Sequence, residues 1–83
     1  MKPVTLDCSA CQTPADLHTA LARSLHFPDC YGNNLDALFD CLTECAITLQ
    51  LTGWALLPDW SAGFAQVFED AQLENPELSI LIA

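Results

Sequence analysis

The stretch Tyr31-Gly32-Asn33-Asn34-Leu35-Asp36-Ala37-Leu38-Phe39-Asp40-Cys41-Leu42-Thr43 joins a turn to a helix with two unlike faces. Pro28-Asp29-Cys30 just ahead of it, and Gly32-Asn33 within it, are turn formers. Asn33 or Asn34 can cap the helix, because a short amide accepts from backbone N–H groups left open at a helix start. From there to about Cys45, Leu35, Leu38, Phe39 and Leu42 recur at helical spacing and form one apolar stripe. Asp36, Asp40 and Glu44, at i, i+4 and i+8, line another side that faces solvent. No lysine or arginine occurs from residue 24 onward, whereas ordinary solvated faces intersperse both signs. An uncompensated acidic stripe beside an aromatic-bearing turn suits a cationic partner.

Outward from this helix, the chain alternates between the two periodicities. Lys2 to Leu6 predicts a short strand with Val4 and Leu6 on one face. Thr13-Pro14-Ala15-Asp16 predicts a helix start: Thr13 can cap, Pro14 suits the first position, and Asp16 favours the positive helix end. Leu17, Ala20, Leu21, Ser24 and Leu25 follow at helical spacing until His26-Phe27-Pro28 ends the run. Past the central helix, Ala46 to Thr52 alternates as a strand does. Gly53 to Asp59 is a connection, and Asp59 or Ser61 can cap a third helix to about Glu74. Phe64, Val67, Phe68 and Ala71 point inward there, and Gly63 weakens the first turn by up to ~1 kcal/mol relative to alanine. Leu78 to Ile82 is a dense apolar strand. The order strand, helix, helix, strand, helix, strand implies right-handed crossovers and a parallel sheet. The expected architecture is one α/β domain over residues 1–83, with a small three-stranded parallel sheet packed by three to four helices.

Composition narrows the function. A chain of 83 residues that is 52% hydrophobic is no acidic disordered tail. No apolar run approaches the ~20 residues needed to span a bilayer. Lys2-Pro3 followed by a strand-like run is unlike a signal peptide, so a cytoplasmic protein is expected. Eleven acids face two bases, Lys2 and Arg23, for a formal net charge of −9. Such a field repels nucleic acid and anionic membranes and attracts basic proteins. Solubility alone is the simpler explanation of the charge. Five cysteines are an odd number without a secretion signal, so most are expected to be reduced and packed as small hydrophobes.

Rival chemistries have weaker signals. Cys8-Ser9-Ala10-Cys11 lies between a strand and a helix, as a thiol oxidoreductase site would. The usual flanking aromatic and cation are missing, and Asp7 opposes a thiolate. Zinc would need those two cysteines plus others from Cys30, Cys41, Cys45, His18 or His26, with no second close pair, so no metal or other cofactor is expected. His18 and His26 are expected at the surface or in an interface, without a recognisable nucleophile. No phosphate loop or nucleic-acid motif is present. Trp60 is expected to anchor the last helix, and Trp54 to pack.

The segment Tyr31 to Thr43 resembles the hallmark segment of the barstar family of ribonuclease inhibitors: tyrosine, glycine, any residue, asparagine, leucine, aspartate, alanine, leucine, aromatic, aspartate, cysteine, leucine, threonine. Asp16-Leu17-His18 opening a helix, Gln66-Val67-Phe68 followed by acids, and the Ile80-Leu81-Ile82 strand are also similar, so the resemblance spans nearly the whole chain. It implies a barstar-like parallel three-stranded α/β fold. It also implies a non-enzymatic inhibitor that inserts its second helix and the preceding loop into a ribonuclease active site. Aspartates there would stand where RNA phosphates sit, paired with catalytic cations. The implied partner-binding residues are Tyr31, Asn34, Asp36, Phe39, Asp40, Asp70 and Glu74. The implied partner is a basic ribonuclease of secreted or toxin type, bound 1:1 by a chain monomeric when free, as an antitoxin or immunity protein acts. Phe39 stands in place of the usual tryptophan, Cys30 where a second aromatic is common, and Cys45 in place of an aromatic. The segment Gly53 to Asp59 is shorter than the family's, which implies the loss of a short helix. These departures alter the rim, so a basic partner other than a ribonuclease is the alternative.

Overall fold

Thr13 opens the first helix through a reciprocal pair of hydrogen bonds. In the computed structural model, which describes residues 3–82, Thr13 Oγ1 accepts the Asp16 N–H at 3.2 Å. Asp16 Oδ2 in turn accepts the N–H groups of Thr13 at 3.2 Å and Gln12 at 3.0 Å. Four orphan donors of a helix start are thereby reduced by local chemistry alone. This helix, α1, runs Pro14–Leu25 and ends where His26 adopts a left-handed conformation, φ 57°, with its N–H on Ala22 O. The termination therefore precedes Pro28 and does not depend on it.

The central helix, α2 (Leu35–Thr43), is capped by Asn34, whose Oδ1 accepts the Ala37 N–H at 2.8 Å. Asn33 instead takes the left-handed turn position at φ 49°, one that asparagine tolerates better than most residues. The helix stops two residues before the expected Cys45. Glu44 N–H bonds to Cys41 O at 3.2 Å and Cys45 N–H to Leu42 O at 3.1 Å, which tightens the last turn.

Three strands, β1 (Pro3–Asp7), β2 (Thr48–Thr52) and β3 (Ser79–Ile82), form a parallel sheet in the order β1-β2-β3. Lys2, expected in the first strand, lies outside the described residues. Ala46 and Ile47, expected in the second, precede the ladder, although Ile47 O still accepts the Ser79 N–H at 2.9 Å. Register sets Val4, Leu49 and Ile80 side by side, then Leu6, Leu51 and Ile82. Leu49, Leu51 and Ile80 are buried against Leu17, Leu21, Leu38, Leu42, Phe64 and Phe68. The next row, Thr5, Gln50 and Leu81, is exposed, so the helices cover one sheet face and leave the other open.

The third helix, α3, spans Ser61–Glu74. Neither Asp59 nor Ser61 caps it with a side chain, contrary to expectation. Trp60 at the cap position is already helical, φ −61°, and backbone bonds from Ser61 N–H to Pro58 O and Ala62 N–H to Asp59 O replace the cap. A proline-led turn supplies the acceptors that a polar side chain would otherwise provide. Between β2 and α3 stands one 3-10 turn, Trp54–Leu56, so the segment expected to have lost a short helix keeps a single helical turn. It starts at Gly53, whose φ of 71° and approach to the Ser9 backbone N (3.0 Å from where a Cβ would lie) both require glycine. Trp54 packs on Phe68 and Trp60 on Phe64, with ring centroids 5.5 and 5.6 Å apart. Gly63 lets α2 and α3 come close, because a Cβ there would meet Leu35 Cδ1 at 3.1 Å.

No described helix is long and apolar enough to cross a membrane. Among the described residues, the architecture is the small three-stranded parallel α/β fold expected, with three α-helices and a single 3-10 turn.

Candidate functional site

The loop before α2 is held from beneath by a buried histidine. His18 on α1 is only 4% exposed, not the surface residue expected. Its Nδ1 lies 2.7 Å from the Tyr31 hydroxyl, and its ring packs 4.7 Å from that of Phe64. Phe27 closes the other side of Tyr31, with ring centroids 4.9 Å apart. The loop between α1 and α2 is thus tied to α1 through the half-buried Tyr31 side chain, and by way of His18 to Phe64 on α3. Burial, with a smaller contribution from Cys41, pushes the Tyr31 hydroxyl up to about 12, so it stays protonated and available for the bond.

From this anchor the chain runs through Gly32 and Asn33 into the Asn34 cap. Asn34 Nδ2 also donates to Gly32 O at 3.2 Å, so the side chain braces the loop as well as the helix start. Asp36 and Asp40 are both exposed on α2, one turn apart, while Phe39 between them is half-buried against the core. The carboxylates of Asp7, Asp16 and Asp70 accept hydrogen bonds from within the chain. Among the described residues, those of Asp36 and Asp40 accept none, which leaves both acids free for an external donor.

Asp70 and Glu74 are exposed on α3, the helix packed against α2. Gln66 Nε2 donates to Asp70 Oδ1 at 3.0 Å, which holds that acid in one orientation. Tyr31, Asn34, Asp36, Phe39 and Asp40 therefore belong to one loop-helix unit, and Asp70 and Glu74 to its neighbour. Cys30 at the loop is exposed, and Cys41 on the far part of α2 and Cys45 just past it are half-buried. Burial first, then Glu44 and Asp40, raises the Cys41 thiol.

The structure also identifies two polar supports whose role has no local sequence signal. One is His18. The other is Asn75, just past α3, whose Nδ2 donates to Leu42 O at 3.2 Å and Cys45 O at 2.7 Å. His18 falls in the Asp16-Leu17-His18 segment that resembles the family, but its supporting role, like that of Asn75, depends on partners brought in by packing.

The C-x-x-C pair lacks what thiol chemistry needs. Cys8 and Cys11 are both buried and free. Burial, then Cys11 and Asp7, pushes the Cys8 thiol up to about 11, and burial, then Asp16 and Asp7, raises that of Cys11. A nucleophilic thiolate requires the opposite shift. The nearest helix start is occupied by its own Thr13–Asp16 pair rather than aimed at a sulfur. Among the described residues, no group of three or more His, Cys, Asp or Glu is placed to hold a metal ion.

The His18 environment predicts a pH dependence. Burial disfavours the charged ring, so the folded pKa lies below the ordinary 6.5. Between those two values the unfolded chain holds a proton that the folded chain does not. Stability is then fully present above about 6.5 and falls as pH drops through that window, by at most about 1.4 kcal/mol per pH unit for one group. Urea midpoints of wild type and His18→Gln, measured from pH 7.5 to 5, should converge toward the acid end. Parallel curves would show that this ring does not titrate with folding.

Comparison with known proteins supplies independent observations. Residues 1–80 match the family model described as Barstar (barnase inhibitor). The chain is also 34% identical over 90 aligned residues to a Bacillus subtilis (strain 168) protein named "Putative ribonuclease inhibitor YrdF", with 99% of each chain covered.

Proposed function

Because the chain belongs to the barstar family, we propose that it inhibits a basic ribonuclease by laying α2 and the preceding loop into the enzyme's active site. Asp36 and Asp40 stand in for RNA phosphates and meet the cations that would bind them, a geometry in which charge-assisted bonds are strong. Tyr31 and Phe39 supply the apolar flank, Asn34 shapes the loop, and Asp70 and Glu74 extend the acidic surface onto α3. The observation that carries this reading is the pair of exposed carboxylates at Asp36 and Asp40, unbonded among the described residues, on a helix fixed at its loop end. The protein performs no chemistry of its own in this role. It acts as a monomer, binds 1:1, and protects the cytoplasm from a toxin or secreted ribonuclease in the manner of an antitoxin or immunity protein.

The test is titration of barnase, and of other basic ribonucleases, with RNA cleavage as the readout. Stoichiometric loss of activity is expected for at least one of them. Full activity of every ribonuclease with the protein in excess would end the proposal. Barnase is the first probe, but Cys30 and Phe39 at the rim favour a panel over a single enzyme. A basic partner of another kind would then be sought with the same surface.

A net charge of −9 makes the encounter electrostatic. Association should slow on the order of tenfold when ionic strength rises from about 50 to about 500 mM, with a smaller change in dissociation. Stopped-flow association rates across that range would decide it. A flat profile would assign the charge to solubility alone.

A further inference from the structure

We infer that Asn75 is a positioning residue for α2: it fixes the far end of that helix against α3 and so holds the two acidic surfaces in one arrangement. The inference rests on the proposal that α2 carries the binding acids, and it adds a residue that has no place on the binding surface itself.

The far end of α2 is closed by local bonds from the Glu44 and Cys45 N–H groups, but it has no countercharge. Helix ends leave carbonyls without intrahelical partners and carry the negative end of the macrodipole, so a basic residue in the last turn would stabilise them. Here the last turn holds no basic residue, and the cap position is Glu44, a like charge. At nine residues the helix is also too short to be stable by itself.

Asn75 meets this need from another part of the chain. Its backbone N–H closes α3 on Ala71 O at 2.8 Å, and its Oδ1 accepts the Glu77 N–H at 3.1 Å. Both bonds lock the residue to the end of α3 and to the turn before β3. Pro76 restricts it further, since a residue before proline is held extended, and its φ of −126° and ψ of 96° comply. From this fixed seat Nδ2 reaches back to Leu42 O and Cys45 O. One amide thus donates to two carbonyls, one in the last turn of α2 and one just past it, 33 and 30 positions earlier.

The near end of α2 is held by the Asn34 cap, the Tyr31–His18 contact and the close fit of Leu35, its first residue, on Gly63. Asn75 ties the opposite end, and anchors at both ends set the direction of the helix. Glu74 is the last residue of the helix that Asn75 terminates and Asp70 lies one turn before it, so the clasp links both sets of acids. Pre-set geometry of this kind shows chiefly in the dissociation rate, because the encounter is governed by long-range charge.

Two variants test it. Asn75→Asp keeps the acceptor for Glu77 N–H but removes both donors, and Asn75→Ala removes all three bonds. Each is compared with wild type by amide hydrogen exchange in the free protein and by dissociation from barnase, at a temperature where each variant is folded. Exchange of amides in the last turn of α2 should accelerate on the order of tenfold or more while the Asn34-capped start is unchanged, and dissociation should quicken about tenfold. A purely structural role would lower the unfolding midpoint without moving the dissociation rate of the folded population, and that result would overturn the inference. Unchanged exchange at the last turn would overturn it as well, whether or not barnase binds. If wild type fails to bind barnase while exchange responds as stated, the partner is wrong and the clasp stands.

Discussion

Asp40→Ala should weaken ribonuclease inhibition by roughly a hundred- to ten-thousandfold and leave the urea midpoint unchanged. The affinity estimate follows from leaving an enzyme cation desolvated without its partner, a loss of about 3–5 kcal/mol, with each ~1.4 kcal/mol worth a factor of ten. Stability is spared because the side chain is exposed and its carboxylate has no bond within the described residues. Its backbone carbonyl also accepts from Thr43 Oγ1 at 2.9 Å, and alanine keeps that bond. Removing one charge from the row Asp36, Asp40, Glu44 also relieves repulsion by a few tenths of a kcal/mol. Inhibition constants and urea curves for wild type, Asp40→Ala and the neutral isostere Asp40→Asn are the measurements. Inhibition by Asp40→Ala equal to that of wild type would remove α2 from the binding site.

Phe68→Ala should have the largest effect on stability. Phe68 is 1% exposed, with Trp54 at 5.5 Å and Phe64 at 6.5 Å between ring centroids. It sits midway along α3 where that helix meets both α2 and the sheet. Truncating a buried phenylalanine costs about 3–5 kcal/mol, against a total of about 5–15 kcal/mol for a typical domain. A chain this short has little margin. The expected outcome is a urea midpoint lowered by half or more, with inhibition lost in proportion to the unfolded fraction. A loss below about 1 kcal/mol would mean that the ring is not central to the core.

What was legible in the sequence was local. The Thr13–Asp16 box and the Asn34 cap are satisfied by atoms three residues away, so the chain announces both helices without knowledge of the fold. Strand alternation and the apolar stripe of α2 likewise depend only on spacing. The exposure of Asp36, Asp40 and Glu44 was legible for the same reason, whereas Asp70 and Glu74 were offered by the family resemblance alone. The start of α3 was misread because a backbone turn at Pro58–Asp59 made a side-chain cap unnecessary. His18 was misread because its burial depends on Tyr31, thirteen residues on, and on Phe64, much further still. Tyr31 changes meaning accordingly: its hydroxyl is occupied inward, so it offers a partner its ring rather than its oxygen. Asn75 was invisible, as its role depends on carbonyls that only the completed packing delivers.

The sheet has a kinetic side. Pro3 pairs with Thr48, and Thr48 with Ser79, so neighbours in the sheet are distant along the chain. Everything from α1 through α2 lies inside the loop that the first strand pair closes. Long-range pairings of this type slow folding, since the entropy of closure is lost before contacts return it. A nine-residue helix has no independent existence while it waits. The proposed binding face should therefore be absent from every partly folded form and arrive with the final cooperative step, so that each chain presents either the whole surface or none of it.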